Sequence, residues 1–172
     1  MKVFYKTQYK SPLGVITVCC DEQENIVGLW FNEQKYFGDT IDAKIINRDD
    51  IKIFDITKNW LNKYFKGEKP NIKEIPLKPI GTEFRQQVWK ILYKIPYGKT
   101  ITYGDIAKQI GKQKSISKMS AQAVGGAVGH NPIAILIPCH RVIGKNGSLT
   151  GYAAGIDKKK KLLELEQANM VK

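Results

Sequence analysis

The chain has 172 residues, of which 42% are hydrophobic and 26% are charged, and its formal net charge is +12. These values are those of an ordinary soluble globular protein with one domain or two small ones. The sequence has no apolar run of 18 residues and no signal-peptide pattern at its start, which argues against a membrane-spanning or secreted protein. We therefore expect a soluble, cytoplasmic protein whose three cysteines are reduced thiols.

The positive charge is concentrated in the C-terminal part of the chain. Residues 1–75 contain 12 basic and 11 acidic side chains, whereas residues 76–172 contain 16 and 5. Such a field attracts a polyanion such as nucleic acid, and salt weakens that attraction. A solvated basic surface is the alternative. An anionic membrane is disfavoured because no amphipathic helix with a bulky apolar face accompanies the charge.

The N-terminal part predicts a small antiparallel sheet followed by a helix. Turn signals separate three runs of β-forming residues, as in a meander; the runs are 3–9, 15–20 and 26–31. Residues 51–65 then predict a helix, whose buried face is expected to carry Phe54, Trp60, Leu61 and Tyr64. The stretch 71–81 has two prolines and no periodicity, which is typical of a linker. We expect a domain boundary here, between residues 1–75 and 76–172.

The C-terminal part predicts helices, two of which form a helix-turn-helix. Apolar residues spaced at 100° over 82–95 predict the first helix. Thr102 followed by Asp105 resembles a capping box at the start of the second, and a basic loop over 111–118 leads to the third, at 120–128. Helix, turn and helix on the basic half suit DNA, although two short helices occur in many proteins.

The helix predicted at 120–128 is rich in glycine and alanine. A helical wheel directs four residues to the core: Ala121, Val124, Gly125 and Val128. The opposite face then carries Gln122, Ala123, Gly126 and Ala127. Two glycines inside a helix cost about 1 kcal/mol each relative to alanine, so close approach to something should compensate. A nucleic-acid backbone and a tightly packed neighbouring helix are equally good candidates for that partner.

Cys139 follows a buried-type segment and precedes His140 and Arg141. A thiolate is a nucleophile, and cationic or hydrogen-bonding neighbours favour it. Side chains of adjacent residues in an extended chain point to opposite sides, so His140 needs a turn or a water to reach Cys139. The alternative is that Cys139 is a buried structural cysteine and that His140 and Arg141 lie next to it by chance.

A helix predicted at 157–167 places Glu166 on its apolar face and Glu164 on the opposite face. A carboxylate on the apolar side needs a partner, because burying it unpaired is costly. Pairing with His140 would complete a Cys–His–Glu relay. Pairing with Arg141, or a position at the exposed helix end, is the alternative.

Five motifs resemble the O6-alkylguanine-DNA alkyltransferase family: Pro138-Cys139-His140-Arg141-Val142, Gly151-Tyr152, Leu162-Leu163-Glu164-Leu165-Glu166, Ala123-Val124-Gly125-Gly126-Ala127 and Asn131-Pro132. The match runs from about residue 82 to 166, and the N-terminal 75 residues match only in their layout. The resemblance implies an α+β fold. Its N-terminal antiparallel sheet with a helix would be ribonuclease H-like, and its mostly helical C-terminal domain would carry a winged-helix-like helix-turn-helix.

The resemblance also implies a function. A damaged guanine is flipped out of duplex DNA, which is bound through the minor groove, and its alkyl group moves irreversibly to Cys139. His140 would act as base through a water, and Glu166 would orient His140. Asn131 would brace the turn before Cys139, and Tyr103 would rotate the target phosphate and help to protonate the leaving guanine. The remaining residues implied in DNA or base binding are Gln122, Ala123, Gly126, Ala127, Arg141, Val142, Tyr152, Ala153 and Lys159.

Arg141 also fits a structural tie. The resemblance implies no cofactor, and the expected partner is double-stranded DNA containing O6-alkylguanine, bound by a monomer. O4-methylthymine is a further possible substrate. Two histidines and three cysteines leave no convincing ligand set for zinc.

This chain departs from the family at two points. Gln122 stands where many members have an arginine that fills the gap left by the flipped base, and we expect glutamine to retain flipping. The basic loop is longer than the usual turn and offers Lys112, Lys114 and Lys118 to phosphates.

Several features have plainer interpretations. Cys19 and Cys20 are expected to straddle a strand, one buried and one exposed. His130 is interpreted as a turn residue, and the lysines at 158–161 as a solvated helix face from which Lys159 approaches the substrate loop.

Two other classes of protein compete with an alkyltransferase. A non-enzymatic binder of alkylated bases is known among relatives, but these lack the cysteine. A hydrolase using Cys139, His140 and Glu166 would leave the basic half and the small-residue helix unexplained.

Overall fold

A four-stranded sheet forms the N-terminal part of the computed structural model, which describes residues 2–115 and 119–170. Its elements are β1 (Val3–Ser11), β2 (Gly14–Cys20), β3 (Ile26–Phe31), β4 (Lys44–Asn47) and the helix α1 (Lys52–Phe65). The order is β3-β2-β1-β4. The first three strands are antiparallel, which confirms the predicted meander, whereas β4 pairs parallel with β1 and was missed.

Both faces of this sheet are covered, so the prediction of one exposed cysteine is wrong. Cys20 belongs to the main core, on the side where α1 buries Phe54 and Tyr64. Cys19 belongs to a smaller cluster with Phe4, Val27 and Trp30, against which Ile41 and Ile45 pack. Both thiols are fully buried, and burial raises the pKa of each to about 12. Neither cysteine is suited to thiolate chemistry.

The outer edge of β3 holds two segments from later in the chain. Ile26 exchanges backbone hydrogen bonds with Pro76 and Lys78, at 2.9 and 2.8 Å. The predicted linker therefore contacts the sheet, and it includes a short 3-10 helix, Ile72–Glu74. Leu29 bonds in the same way to Pro132 and Ala134, at 2.8 and 2.9 Å. The chain leading to Cys139 is thus fixed to the sheet edge.

Helices dominate the C-terminal part, and the α+β prediction is confirmed. The elements are α2 (Glu83–Tyr93), β5 (Ile101–Thr102), α3 (Tyr103–Gln113), α4 (Ala121–Gly129), β6 (Val142–Ile143) and α5 (Ile156–Ala168). The predicted capping box is present, with Thr102 and Asp105 each accepting from the other's backbone N–H. Helices α3 and α4 contact each other and α2, as a helix-turn-helix requires. No helix among the described residues is long and apolar enough to cross a membrane.

Candidate active site

Two tight turns deliver Cys139 to the site. In the first, Leu136 N–H donates to the Ala134 carbonyl at 2.7 Å, which forces Ile135 into a positive φ of 67°. In the second, Cys139 N–H donates to the Ile137 carbonyl at 2.8 Å. A buried β-branched residue at positive φ is costly and persists only where the surroundings fix it, as at functional sites. The chain before Cys139 is therefore held in one conformation.

Asn131 supplies much of that constraint. Its Nδ2 donates to the Ile137 carbonyl at 2.8 Å, and its Oδ1 accepts from Ile133 N–H at 3.0 Å. The side chain is only 4% exposed. Asn131 thus lies where a brace for the turn before Cys139 was predicted.

Cys139–Arg141 form a 3-10 helix and not an extended strand, so their adjacent side chains do not have to point to opposite sides. Three residues per turn separate neighbouring side chains by about 120°. Cys139 faces a cavity of about 550 Å³, while His140 and Arg141 both reach Glu166 in the interior.

Glu166 is fully buried and accepts five hydrogen bonds. His140 Nε2 lies 2.5 Å from Oε2, and Arg141 donates from Nε to Oε1 at 2.8 Å and from Nη2 to Oε2 at 3.1 Å. Both partners that the sequence left as alternatives therefore contact the carboxylate. Tyr64 Oη donates to Oε2 at 2.6 Å, and Gly98 N–H donates to Oε1 at 3.0 Å.

Tyr64 and Gly98 were missed as site residues. Tyr64 was predicted only as a core residue, and it lies 102 residues from Glu166 in the sequence. Neither residue carries a local signal that pairs it with a distant carboxylate.

This network fixes the protonation states of the pair. Burial alone would raise the pKa of Glu166, but hydrogen bonds from His140 and Arg141 and the positive charge of Arg141 outweigh it and hold that pKa far below its usual range. Burial lowers the pKa of His140, against the pull of Glu166. His140 is therefore neutral at pH 7 and, because an ionised carboxylate can only accept, its Nε2 carries the proton. The buried Nδ1, with no hydrogen-bond partner among the described residues, is left as a free base.

Cys139 is 7% exposed and lines the cavity. Burial raises the pKa of its thiol, although a hydrogen bond from Asn131 and the charge of Lys159 act in the opposite direction. A thiol whose pKa is raised needs a neighbouring base to become a nucleophile. The free Nδ1 of the adjacent His140 is such a base.

Lys159 is fully buried, so the prediction of a solvated face is wrong at this position. Its Nζ donates to the carbonyls of Thr150 and Gly151 at 3.2 and 3.1 Å, which confirms the predicted approach to the loop beside the site. Tyr103 Oη donates to the same Thr150 carbonyl at 2.9 Å, and Tyr103 also lines the cavity. Together they hold the loop over the cavity.

Helix α4 forms another wall, with Ala121, Gln122, Gly125, Val128 and Gly129 lining the cavity. The helical wheel was wrong at three positions. Ala121 is exposed and the partly exposed Gly125 lines the cavity, whereas Ala127 is 3% exposed and its carbonyl accepts from Trp89 Nε1 at 2.9 Å. The side chain of Ala127 is thus part of the core and not of the outer face. Gln122, Ala123 and Gly126 are exposed as predicted.

Gly125 and Gly126, the two interior glycines of α4, are not explained by packing inside this chain. A Cβ built on Gly125 or Gly126 meets nothing within 4 Å. Tight packing against a neighbouring helix was one of two candidate reasons for these glycines, and the structure does not support it. The open face leaves room for an external partner to approach closely.

The loop after Cys139 completes the cavity. Tyr152 and Ala153 line it, and the Tyr152 hydroxyl is buried with no partner among the residues described. Val142 is fully buried in β6, paired with Ile101 of β5. Arg141 was also predicted to contact DNA, but it is 8% exposed and directed inward, where its Nη1 donates to the Ile95 carbonyl at 2.7 Å. The interpretation as a structural tie is the one that the geometry supports.

The remaining predictions concern His130, the basic loop and metals. His130 caps α4, with Nδ1 2.7 Å from the Gly126 carbonyl, so it is a turn residue as predicted. Lys112 and Lys114 lie near the end of α3, whereas Lys118 lies outside the described residues. Within residues 2–115 and 119–170, no three His, Cys, Asp or Glu side chains group as metal ligands would.

Two family models match the chain. Residues 83–168 match the DNA binding domain of 6-O-methylguanine DNA methyltransferase, and residues 4–79 match its ribonuclease-like domain. The chain belongs to this methyltransferase family. The predicted ribonuclease-like N-terminal part is thereby confirmed.

Individual members of the 6-O-methylguanine DNA methyltransferase family are similar over almost their whole length. The methylated-DNA–protein-cysteine methyltransferase of Mycobacterium bovis is 55% identical, covering 96% of this chain and 93% of its own. That of Haemophilus influenzae is 40% identical, covering 97% and 88%. The crystal structure of Mycobacterium tuberculosis OGT in complex with DNA superposes with a TM-score of 0.82 at 40% identity, covering 97% and 94%.

Proposed function

We propose that this protein repairs DNA by moving the alkyl group of O6-alkylguanine in duplex DNA irreversibly to Cys139. The main observation behind the proposal is that Cys139, only 7% exposed, lines a cavity and is adjacent to His140, whose Nδ1 is free and whose Nε2 is held by Glu166. Family membership and similarity to a relative solved with DNA support the same assignment.

The chemistry is a single displacement. His140 Nδ1 accepts the Cys139 thiol proton through a water, and Sγ attacks the alkyl carbon. The new S–C bond forms as the O6–C bond breaks, and the electron pair of that bond stays on the guanine. Tyr103 delivers a proton to the leaving base and is reprotonated by way of His140, so that the products are intact guanine and an S-alkylcysteine. No cofactor takes part, and each molecule reacts once.

DNA binding is assigned to the open face of α4. Gln122, Ala123 and Gly126 are exposed there, and small side chains let a helix lie deep in the minor groove. Gln122 fills the gap left by the flipped nucleotide. Tyr152 and Ala153 surround the base, and Lys159 fixes the loop that carries them. We further propose that the protein acts as a cytoplasmic monomer.

Intact-mass spectrometry tests the proposal. The protein is incubated with a duplex oligonucleotide carrying one O6-methylguanine, and the expected result is a gain of a single methyl on Cys139 with matching loss of the lesion. Cys139→Ser should bind the duplex without gaining mass. Wild-type protein that binds the lesion and stays unmodified would identify a non-enzymatic damage binder instead.

A further inference from the structure

The N-terminal part also contributes to the cavity that contains Cys139. Lys35 and Tyr36, in the loop after β3, line it together with Gln122 and Tyr152. The matched DNA-binding model begins only at residue 83, so this contribution lies outside it. Both residues are exposed, and Tyr36 retains 45% of its accessible surface.

Four contacts hold this loop in place. Gln34 is buried, accepting from Phe31 N–H at 2.9 Å and donating to the Lys35 carbonyl at 3.3 Å. Lys35 N–H donates to the carbonyl of Ala153, which also lines the cavity, at 3.0 Å. The ring of Tyr36 stacks on His130, the residue that caps α4, with centroids 3.8 Å apart. The loop is therefore built against the two elements that surround the substrate.

Tyr36 is held in an unfavourable backbone conformation. Its φ is 62°, a region that a bulky aromatic residue rarely adopts and that costs about 1–3 kcal/mol. Such strain persists only where surrounding contacts over-determine it, and it is concentrated at functional sites. The unusual φ, the stacking on His130 and the contribution to the cavity lining all belong to one residue, Tyr36.

We infer that Lys35 and Tyr36 form a rim that holds the extruded nucleotide, a reading that rests on the function proposed above. The alkyl group must reach Cys139, which is only 7% exposed, so the sugar and phosphates of that nucleotide remain on the solvent side of the cavity. Tyr36 lines the same cavity and is 45% exposed, so it packs against the nucleotide on that side. Lys35 places its ammonium near the flanking phosphate.

The direct test compares two substrates. A free O6-benzylguanine base has no sugar or phosphate, so it does not use the rim, whereas the same lesion in a duplex does. Tyr36→Asn removes the ring and keeps a residue type that tolerates positive φ, and Tyr36→Gly is a second variant favoured at that φ. Each should slow single-turnover transfer from the duplex about tenfold and leave the free-base reaction within about twofold of wild type.

Phe37→Ala is the matched control, because Phe37 is the next aromatic of the loop, is 42% exposed and does not line the cavity. It should react as wild type with both substrates. Duplex transfer at the wild-type rate in both Tyr36 variants would overturn the inference, and so would equal slowing of the two reactions. Failure of wild-type protein to react with either substrate would instead overturn the proposed function.

The lysine is tested separately through salt. Lys35→Gln should lower the slope of log binding constant against log salt concentration by about one, the loss of one phosphate contact. Lys63→Gln, at an exposed lysine of α1 outside the cavity, should leave the slope unchanged. Equal slopes for wild type and Lys35→Gln would show that this lysine does not touch DNA.

Discussion

Replacement of Glu166 by Gln tests the centre of the buried network. The substitution keeps the shape of the side chain, but it removes the negative charge that accepts five hydrogen bonds. Arg141, 8% exposed, then remains in the interior without its counter-charge. Breaking a buried pair on one side costs about 3–5 kcal/mol, a large part of the 5–15 kcal/mol by which domains are stable.

The measurement is the free energy of unfolding in denaturant, together with thermal unfolding. For a chain of this length the loss corresponds to a midpoint lowered by about 6–20 °C. Glu164→Gln is the matched control on the same helix, because Glu164 is exposed and only approaches Lys160, at 4.0 Å. It should cost at most about 0.5 kcal/mol. A loss below about 1 kcal/mol for Glu166→Gln would refute the reasoning.

Low pH should change the stability of Glu166→Gln and of wild type to different extents. The folded pKa of His140 lies below its ordinary 6.5, so folding favours the neutral ring, and stability is lost as pH falls below about 6.5. The folded pKa of Glu166 is also depressed, so its contribution is present above its ordinary 4.5 and is lost as pH falls below that value. Glu166→Gln should lack the second loss. An identical acid profile for the two proteins would contradict the assignment.

Three further outcomes concern transfer. Lys159→Met should slow the reaction with both duplex and free base about tenfold, because the carbonyls of Thr150 and Gly151 lose their hydrogen-bond donor. Single-turnover rates measure this effect, and slowing with duplex alone would contradict the prediction. Gln122→Ala should slow duplex repair more than reaction with free O6-benzylguanine, and equal slowing would show that Gln122 takes no part in flipping. The transfer rate of wild type should be constant from pH 7 to 8 and fall with a midpoint below about 6.5, because His140 must be neutral; a midpoint above 7 would exclude His140 as the base.

Local patterns predicted the parts of the molecule that depend on neighbours in sequence. The capping box at Thr102, the first three strands and the inward position of Glu166 all follow from spacing within about one helical turn or one hairpin. Strand β4 could not be predicted in this way, because its four residues pair with β1 from about 40 residues away. The contact between Tyr64 and Glu166 spans an even larger sequence separation, 102 residues.

For two of the wrong predictions, those for Lys159 and Ala127, the sequence contained a signal for the correct position. Lys159 lies three residues before Leu162 and seven before Glu166, so the helical period places it on their buried face. Ala127 lies three residues after the buried Val124, and the same period predicts that it faces inward. The run of four lysines and the small size of alanine obscured positions that the spacing alone would have assigned.

The hydrogen bond from Tyr64 to Glu166 limits how far this protein can be treated as modular. Tyr64 belongs to the part matched by the ribonuclease-like model, and Glu166 belongs to the part matched by the DNA-binding model. A chimera that joined the second part to an unrelated partner would leave the buried carboxylate one donor short. It would also deprive Pro132 and Ala134 of the strand edge at Leu29. The two parts are therefore expected to change together over evolution, since the first supplies a hydrogen-bond donor and a strand edge to the reaction centre in the second.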